Sequence, residues 1–447
     1  MNAFKKIWFL LLLAVLFLPM MQTCFHLVDE KPLGGAFVAA KKPVVNLKTL
    51  YEETAQDSLI AWYTEQSGFR NSMIRLNNQL LYSAFGKISA NGVVKGKDGY
   101  TFYTLPYINS YIGKTYLGEE TINKRAEQLK LLQDMLRTKG VTLLPVFVVG
   151  KASYYPEHIP DKYLAQCRET NNYYEYLKAF GEQGVSMVDF NRFFCERKAT
   201  EPHPVYCNMS SHWTLYAASL AMDSLVSYME ATTQQTQVHA YVKSYDTTYL
   251  LEHDNELYNL MNLVFPLEHN TIAQPKFGFT KGYKPKVLTI SDSYWWVVYA
   301  WQIGLHQSLF SEGGYWYYNN TVYPKRNPVQ NVKDIDYQRE IEKQEFVLLV
   351  CTEATNDTWP FGFIERYMSS YDNTFRSKQP EQYDAADWLY LPYRNEKIEA
   401  IVQHIKNTPE WLESITHYAD ENGTTLEQAL WNAAEYTYRS SIEPKDL

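Results

Sequence analysis

Four short, nearly unbroken apolar runs constrain the fold of this chain more than any other feature: residues 141–149, 185–190, 287–290 and 346–351. A strand with one wet face alternates apolar and polar residues, whereas a short continuous run bounded by glycine or polar residues reads as a strand buried on both faces. Helical patterns separate the runs. Residues 121–139 are amphipathic and stop at Gly140, and 215–229 and 295–310 read as further helices. Alternating strands and helices predict an α/β fold, a parallel sheet flanked by helices, with ligand sites at the carboxyl ends of the strands. Around this core, 69–85 reads as a helix, 93–102 as a hairpin turning at Asp98-Gly99, and 395–441 as a small helical cap.

The first 28 residues are of another kind. Lys5 and Lys6 precede an apolar run from 7 to 21 that continues with few polar breaks to Val28. This is an export signal, and because the positive residues come first, the rest of the chain is expected across the membrane. Cleaved signal peptide and retained anchor both fit its length. The expected layout is therefore 1–28 as signal or anchor, 29–390 as the α/β body opening on an extended lead-in, and 391–447 as a C-terminal helical extension.

Composition narrows the function. With 42 Lys plus Arg against 50 Asp plus Glu, the formal charge of −8 argues against a nucleic-acid binder. Aromatic residues make up 15% of the chain, 37 of them Tyr, which suits a large aromatic core or a sugar-binding surface. Cys167, Cys195, Cys207 and Cys351 could pair in an oxidising compartment, with Cys195 and Cys207 placed to staple one loop. Cys24 follows a poor lipidation motif. No spacing suits a metal, and no glycine-rich loop suits a nucleotide or flavin, so no cofactor is expected.

Two constellations carry chemistry. The run 287–290 leads into Ser291-Asp292-Ser293-Tyr294, a strand, tight turn and helix that place a serine where free N–H groups can stabilise negative charge. Such a serine needs a base. Ser210-Ser211-His212-Trp213 opens the 215–229 helix, and His212 is the histidine whose surroundings fit that role. A capping serine and a structural histidine are the competing readings of these residues.

Seven motifs in order bear a family likeness: Phe69-Arg70 with 76–79, Val93-Val94-Lys95-Gly96-Lys97-Asp98-Gly99, Tyr107-Ile108 with Tyr111 and Gly113, Lys151-Ala152-Ser153 with Tyr155-Pro156-Glu157, Ser211-His212-Trp213, Ser291-Asp292-Ser293-Tyr294, and Thr352-Glu353. Over about residues 45–365 the chain resembles the AlgX/AlgJ-type SGNH-hydrolase-like proteins of alginate and related polysaccharide O-acetylation. The resemblance implies an exported, periplasmic protein, often held at the inner membrane through its N-terminal helix (here 7–28). It also implies a polysaccharide substrate and a membrane-bound O-acyltransferase partner. Ser293 matches the family's nucleophile and His212 its base.

Two positions depart from the pattern. The family's acid lies two residues before the histidine, where this chain has Ser210, and a glycine usually stands where it has Ser291. A serine cannot stabilise an imidazolium by charge. Asp189, Asp292 and Glu353 are the carboxylates expected near the site, and Lys151, Trp213, Tyr294, Tyr315 and Trp316 are candidates for contact with sugar. The leading expectation is a Ser-His acetyltransferase or acetylesterase. The alternative is a polysaccharide-binding scaffold that has lost its chemistry.

Overall fold

A computed structural model describes residues 3–35, 40, 42–46, 49, 51, 54–299, 304–324, 330–370, 391–422 and 424–442. The first two strands make the hairpin, with β1 (Val93–Lys95) antiparallel to β2 (Thr101–Tyr103). Asp98 and Gly99 both take positive φ, 52° and 77°, as a tight hairpin turn requires.

The main sheet has six strands: β3 (Thr142–Val148), β4 (Val188–Asp189), β7 (Val287–Ser291), β8 (Gly313–Tyr317), β9 (Thr321–Tyr323) and β10 (Phe346–Thr352). Their order is β4-β3-β10-β7-β8-β9. Five run parallel, and β9 turns back antiparallel on β8, so the sheet is mixed rather than purely parallel. A second, two-stranded sheet pairs β5 (Ala240–Asp246) with β6 (Gln274–Phe279).

The continuous apolar runs are buried on both faces, as their pattern requires. In β10, Phe346, Leu348 and Val350 enter one core cluster, while Val347, Leu349 and Cys351 enter the other. Helices Glu119–Thr138 and Asn172–Gln183 cover the second face through Ile122, Leu129, Leu132, Leu136, Tyr176 and Phe180. Helix Leu215–Thr233 covers the first through Ala218, Met222, Leu225 and Met229. Each large side chain so buried contributes roughly 1.5–3 kcal/mol.

Several elements differ from the sequence reading. Residues 185–190 give only two strand residues, because Asp189 accepts the Arg192 N–H and starts helix Phe190–Arg197 there. The 295–310 stretch is a 3₁₀ turn (Ser293–Trp295), helix Trp296–Tyr299 and helix Leu305–Leu309; Trp301 lies outside the described residues. Part of the extended lead-in is helical, Thr54–Gln66. All five cysteines are free thiols, Cys207 and Cys351 buried, and Cys195 and Cys207 do not staple their loop. At the ends, helix Ala3–Phe25 is long and apolar enough to cross a membrane. Helices Leu391–Lys406, Pro409–Asn422 and Leu426–Ile442 pack on one another around Ile398, Ile405, Leu430 and Ala434.

Beyond β3, space is limiting at Gly150. Its φ of −93° suits any residue, but an added Cβ would lie 2.0 Å from the Glu353 carboxyl carbon. Glu353 is itself pinned by the N–H groups of Ala152 and Ser153, so it cannot step aside. Gly150→Ala is expected to lower unfolding stability by about 1–3 kcal/mol, the usual cost of overpacking a core, read as a lower urea midpoint.

Candidate active site

The site assembles where β7, β10 and two loops meet. Strand β7 ends at Ser291, and Asp292 caps the turn that follows by accepting the Tyr294 N–H at 3.0 Å. The other Asp292 oxygen accepts from the hydroxyls of Thr352 and Thr355 at 2.7 and 2.6 Å, which locks the turn to the end of β10. Ser293 opens the 3₁₀ turn. Ser291 sits in ordinary extended strand, outside the positive-φ residues, so the serine there meets no backbone strain.

His212 is carried by a loop, two residues before the Thr214 cap of helix Leu215–Thr233, rather than in that helix's first turn. The loop is tied down from several sides. The Tyr294 hydroxyl donates to the Ser211 carbonyl at 2.6 Å, and the Trp213 indole N–H donates to the Tyr294 carbonyl at 3.3 Å. Ser210 Oγ accepts the His212 N–H at 3.0 Å and donates to the His253 carbonyl. Lys151, 1% exposed, places its Nζ 2.6–3.1 Å from the carbonyls of Thr101, Cys207, Asn208 and Ser210. Burial pushes its amine down to about 7, opposed by the charges of Cys207 and Glu256.

These ties put the His212 Nε2 3.2 Å from Ser293 Oγ and its Nδ1 2.6 Å from Glu256 Oε2. With Nδ1–H donating to the carboxylate, Nε2 keeps its lone pair for the serine O–H. Glu256 starts helix Glu256–Met261 in the segment between β5 and β6, and its other oxygen accepts from the Ser211 N–H at 3.0 Å and the Ser211 hydroxyl. Burial raises its pKa, but the charge and hydrogen bond of His212 and the two Ser211 donors outweigh this and leave the carboxyl below its ordinary value.

None of the carboxylates expected from sequence holds the histidine. Asp292 serves the turn, Asp189 caps its helix and accepts the Tyr173 hydroxyl, and Glu353 holds the N–H groups after β3. Ser210, at the family's acid position, fixes the loop backbone instead. Glu256 lies 44 residues from His212, and no local spacing marked it. Its one trace in the sequence is the ionisable cluster His253, Asp254 and Glu256.

The five residues considered for sugar contact are core residues. Lys151, Trp213, Tyr294, Tyr315 and Trp316 are each at most 2% exposed. The pocket at the dyad is lined instead by Tyr103, Tyr107 and Tyr318, with Pro106, Ala354 and Thr355 completing its wall. Its volume of about 230 Å³ is small for a whole drug-sized ligand, for which roughly 300–1,000 Å³ is usual. Among the described residues, no cluster of His, Cys, Asp and Glu could hold a metal ion.

Residues 93–274 match the family model described as SGNH hydrolase-like domain, acetyltransferase AlgX. Over those residues the chain is similar to an AlgX-type SGNH-hydrolase-like domain. The matched segment holds His212 and Glu256, and Ser293 lies beyond it. None of the curated proteins matches the chain. Among solved structures, the O-acetyltransferase domain of Pseudomonas putida AlgJ is 16% identical, covering 62% of this chain and 99% of that one, with a TM-score of 0.39. Pseudomonas aeruginosa AlgX is 13% identical over 61% of this chain and 66% of its own, with a TM-score of 0.40. Bacillus cereus PatB1, solved with a sulfonyl adduct, is 10% identical over 61% and 99%, with a TM-score of 0.37.

Glu353, which holds the N–H groups after β3, gives the fold a pH signature. Burial raises its carboxyl to about 7, opposed by its bonds to Ser153 and Ala152, against an ordinary value of 4.5. Between those values the folded chain keeps a proton that the unfolded chain has released, so this group's contribution to stability falls as pH rises through the window. Glu353→Gln is expected to flatten the fall in urea midpoint between about pH 4.5 and 7. Equal slopes in variant and wild type would mean that the carboxyl is ionised throughout.

Proposed function

We propose that this chain is an exported polysaccharide O-acetyltransferase that works through Ser293, His212 and Glu256. The observation that carries the reading is the unbroken hydrogen-bond chain from Glu256 through His212 to Ser293, opening into a pocket. The similarity to an AlgX-type domain adds support for acetyl transfer. Helix Ala3–Phe25, with Lys5 and Lys6 before its apolar run, supports export and retention at the inner membrane, beside a membrane-bound O-acyltransferase that supplies the acetyl group.

The geometry sets the steps. His212 Nε2 takes the Ser293 proton as Oγ attacks the carbonyl carbon of the acetyl donor, and the new C–O bond leaves a tetrahedral oxyanion. The Tyr294 N–H is held by Asp292, so in this reading the Ser293 N–H, the first of the turn, is the donor left to meet the developing charge. Glu256, anionic, stabilises the imidazolium formed at His212. When the intermediate collapses, the donor's leaving group departs with the proton from Nε2 and acetyl-Ser293 remains. A sugar hydroxyl then gives its proton to Nε2, attacks the acetyl carbon and leaves as the O-acetyl sugar, returning the proton to Ser293. Water in place of the sugar makes the same site an esterase. Tyr103, Tyr107 and Tyr318 line the space where the acceptor would stack.

The scaffold alternative drew on the serine at position 210. A carboxylate from elsewhere in the chain now occupies the role that Ser210 cannot fill, which favours the enzyme. Acetyl transfer from a chromogenic acetyl ester to an oligosaccharide tests this directly. Ser293→Ala and His212→Ala are expected to abolish turnover, and Glu256→Gln to lower kcat by roughly 10³–10⁴. A wild type no faster than Ser293→Ala, with genuine polysaccharide as acceptor, restores the scaffold reading.

A further inference from the structure

Helix Arg70–Phe85 turns several polar side chains toward the protein: Asn78 donates to the Met261 carbonyl at 3.0 Å, and Gln79 accepts the N–H groups of Val264 and Phe265 at 3.2 and 3.0 Å. Arg75 donates to the carbonyls of Lys31 and Pro32 at 2.9 and 2.7 Å. Met73, Leu76 and Leu80, three and four residues apart on one face, point outward and are 55, 56 and 62% exposed. The helix carries Arg70 and Arg75 and no acidic residue.

This helix is built onto the end of helix Ala3–Phe25. The Gly68 N–H, in the turn before it, donates to Thr23 Oγ1 at 2.8 Å, and a Cβ on Gly68 would come within 2.4 Å of the Pro19 carbonyl oxygen. Gln22, 6% exposed, closes the turn by bonding both the N–H and the carbonyl of Val28. Glu30 then accepts the Ser72 N–H at 2.8 Å. The last turn of the apolar helix is thus an integral part of the folded body, while Leu10, Leu12 and Leu16 upstream of it are exposed to whatever surrounds the helix.

We propose that the Met73–Leu76–Leu80 stripe rests on the lipid bilayer that helix Ala3–Phe25 spans. The proposal depends on the reading above that this helix is retained as an anchor. Its 23 residues rise about 34 Å, enough to cross a hydrocarbon core of roughly 30 Å and bring Gln22 and Thr23 to the headgroup level. A helix packed against that turn lies at the interface, where an apolar face with flanking arginines is stable. Contiguity with the spanning helix favours lipid over a second protein as the occupant. The contact also reaches the active site. Asn78, and Asn262 bonded to the Gly34 N–H at 2.8 Å, hold the far end of the helix whose first residue, Glu256, orients His212. Membrane seating therefore fixes the depth at which the pocket meets its donor.

The test uses the full chain with p-benzoylphenylalanine in place of Leu76, Leu80, Leu12 or Tyr174, reconstituted in phosphatidylethanolamine–phosphatidylglycerol vesicles and irradiated. Lipid adducts from positions 76 and 80 are expected to match those from Leu12 and to exceed those from exposed Tyr174 by about tenfold. Adducts from Leu12 with only the Tyr174 level at 76 and 80 overturn the proposal and leave the anchor standing. Cross-links from 76 or 80 to a second copy overturn it in favour of self-association. A mature chain recovered from the producing cells that begins beyond Phe25 overturns the anchor and the proposal together.

Discussion

The hydrogen bond between Glu256 and His212 is the contact on which the site depends. It joins two segments 44 residues apart, one opening the helix between β5 and β6 and the other a loop pinned beneath β2. Without it no carboxylate would fix the imidazole's tautomer or stabilise the charge it gains. Much of the surrounding structure holds these two segments in register. Lys151 gathers four carbonyls under the histidine loop, Ser211 gives both its donors to Glu256, and Tyr294 links the loop to the turn that carries Ser293. A buried lysine used this way is expensive, and its amine is depressed to about 7 by burial, which burial near the reacting groups makes worthwhile only if loop position matters.

A catalytic constellation is defined by geometry and roles rather than by sequence position, and the relocated carboxylate illustrates why. Ser210 stands where the resemblance calls for an acid, yet its hydroxyl still does half of that residue's work by fixing the backbone at His212. In the proposed triad the electrostatic half comes from Glu256. Asp292, adjacent to the nucleophile, is committed to two threonine hydroxyls and a backbone N–H and so is turned away from this task.

The parts of the fold legible in the sequence were those with one dominant signal. Strands β3, β7 and β10 announced themselves because both their faces are buried and most of their residues are apolar. Strand β8 did not: Gly313-Gly314 reads as a loop, and Tyr315 and Trp316, considered for a sugar platform, are at most 2% exposed within it. Composition cannot separate an aromatic core from an aromatic surface, since the same rings serve both. Ser293 and His212 were marked by their turns, which are local. Glu256 could not be, because the loop that delivers it is defined by long-range contacts. Of the apolar side chains whose spacing marked helix Arg70–Phe85, Met73, Leu76 and Leu80 point outward, since spacing identifies a stripe but not what covers it.

The most direct test of the account is covalent. Incubating the full chain with an activated acetyl ester in the absence of sugar, quenching with acid and mapping peptides by mass spectrometry reads the intermediate itself. The account predicts one acetyl group, on Ser293, that disappears when a polysaccharide acceptor is added before the quench and never forms in His212→Ala. Acetylation of Ser291 or Ser211 instead, or none at all in a chain that still transfers acetyl groups, would contradict it.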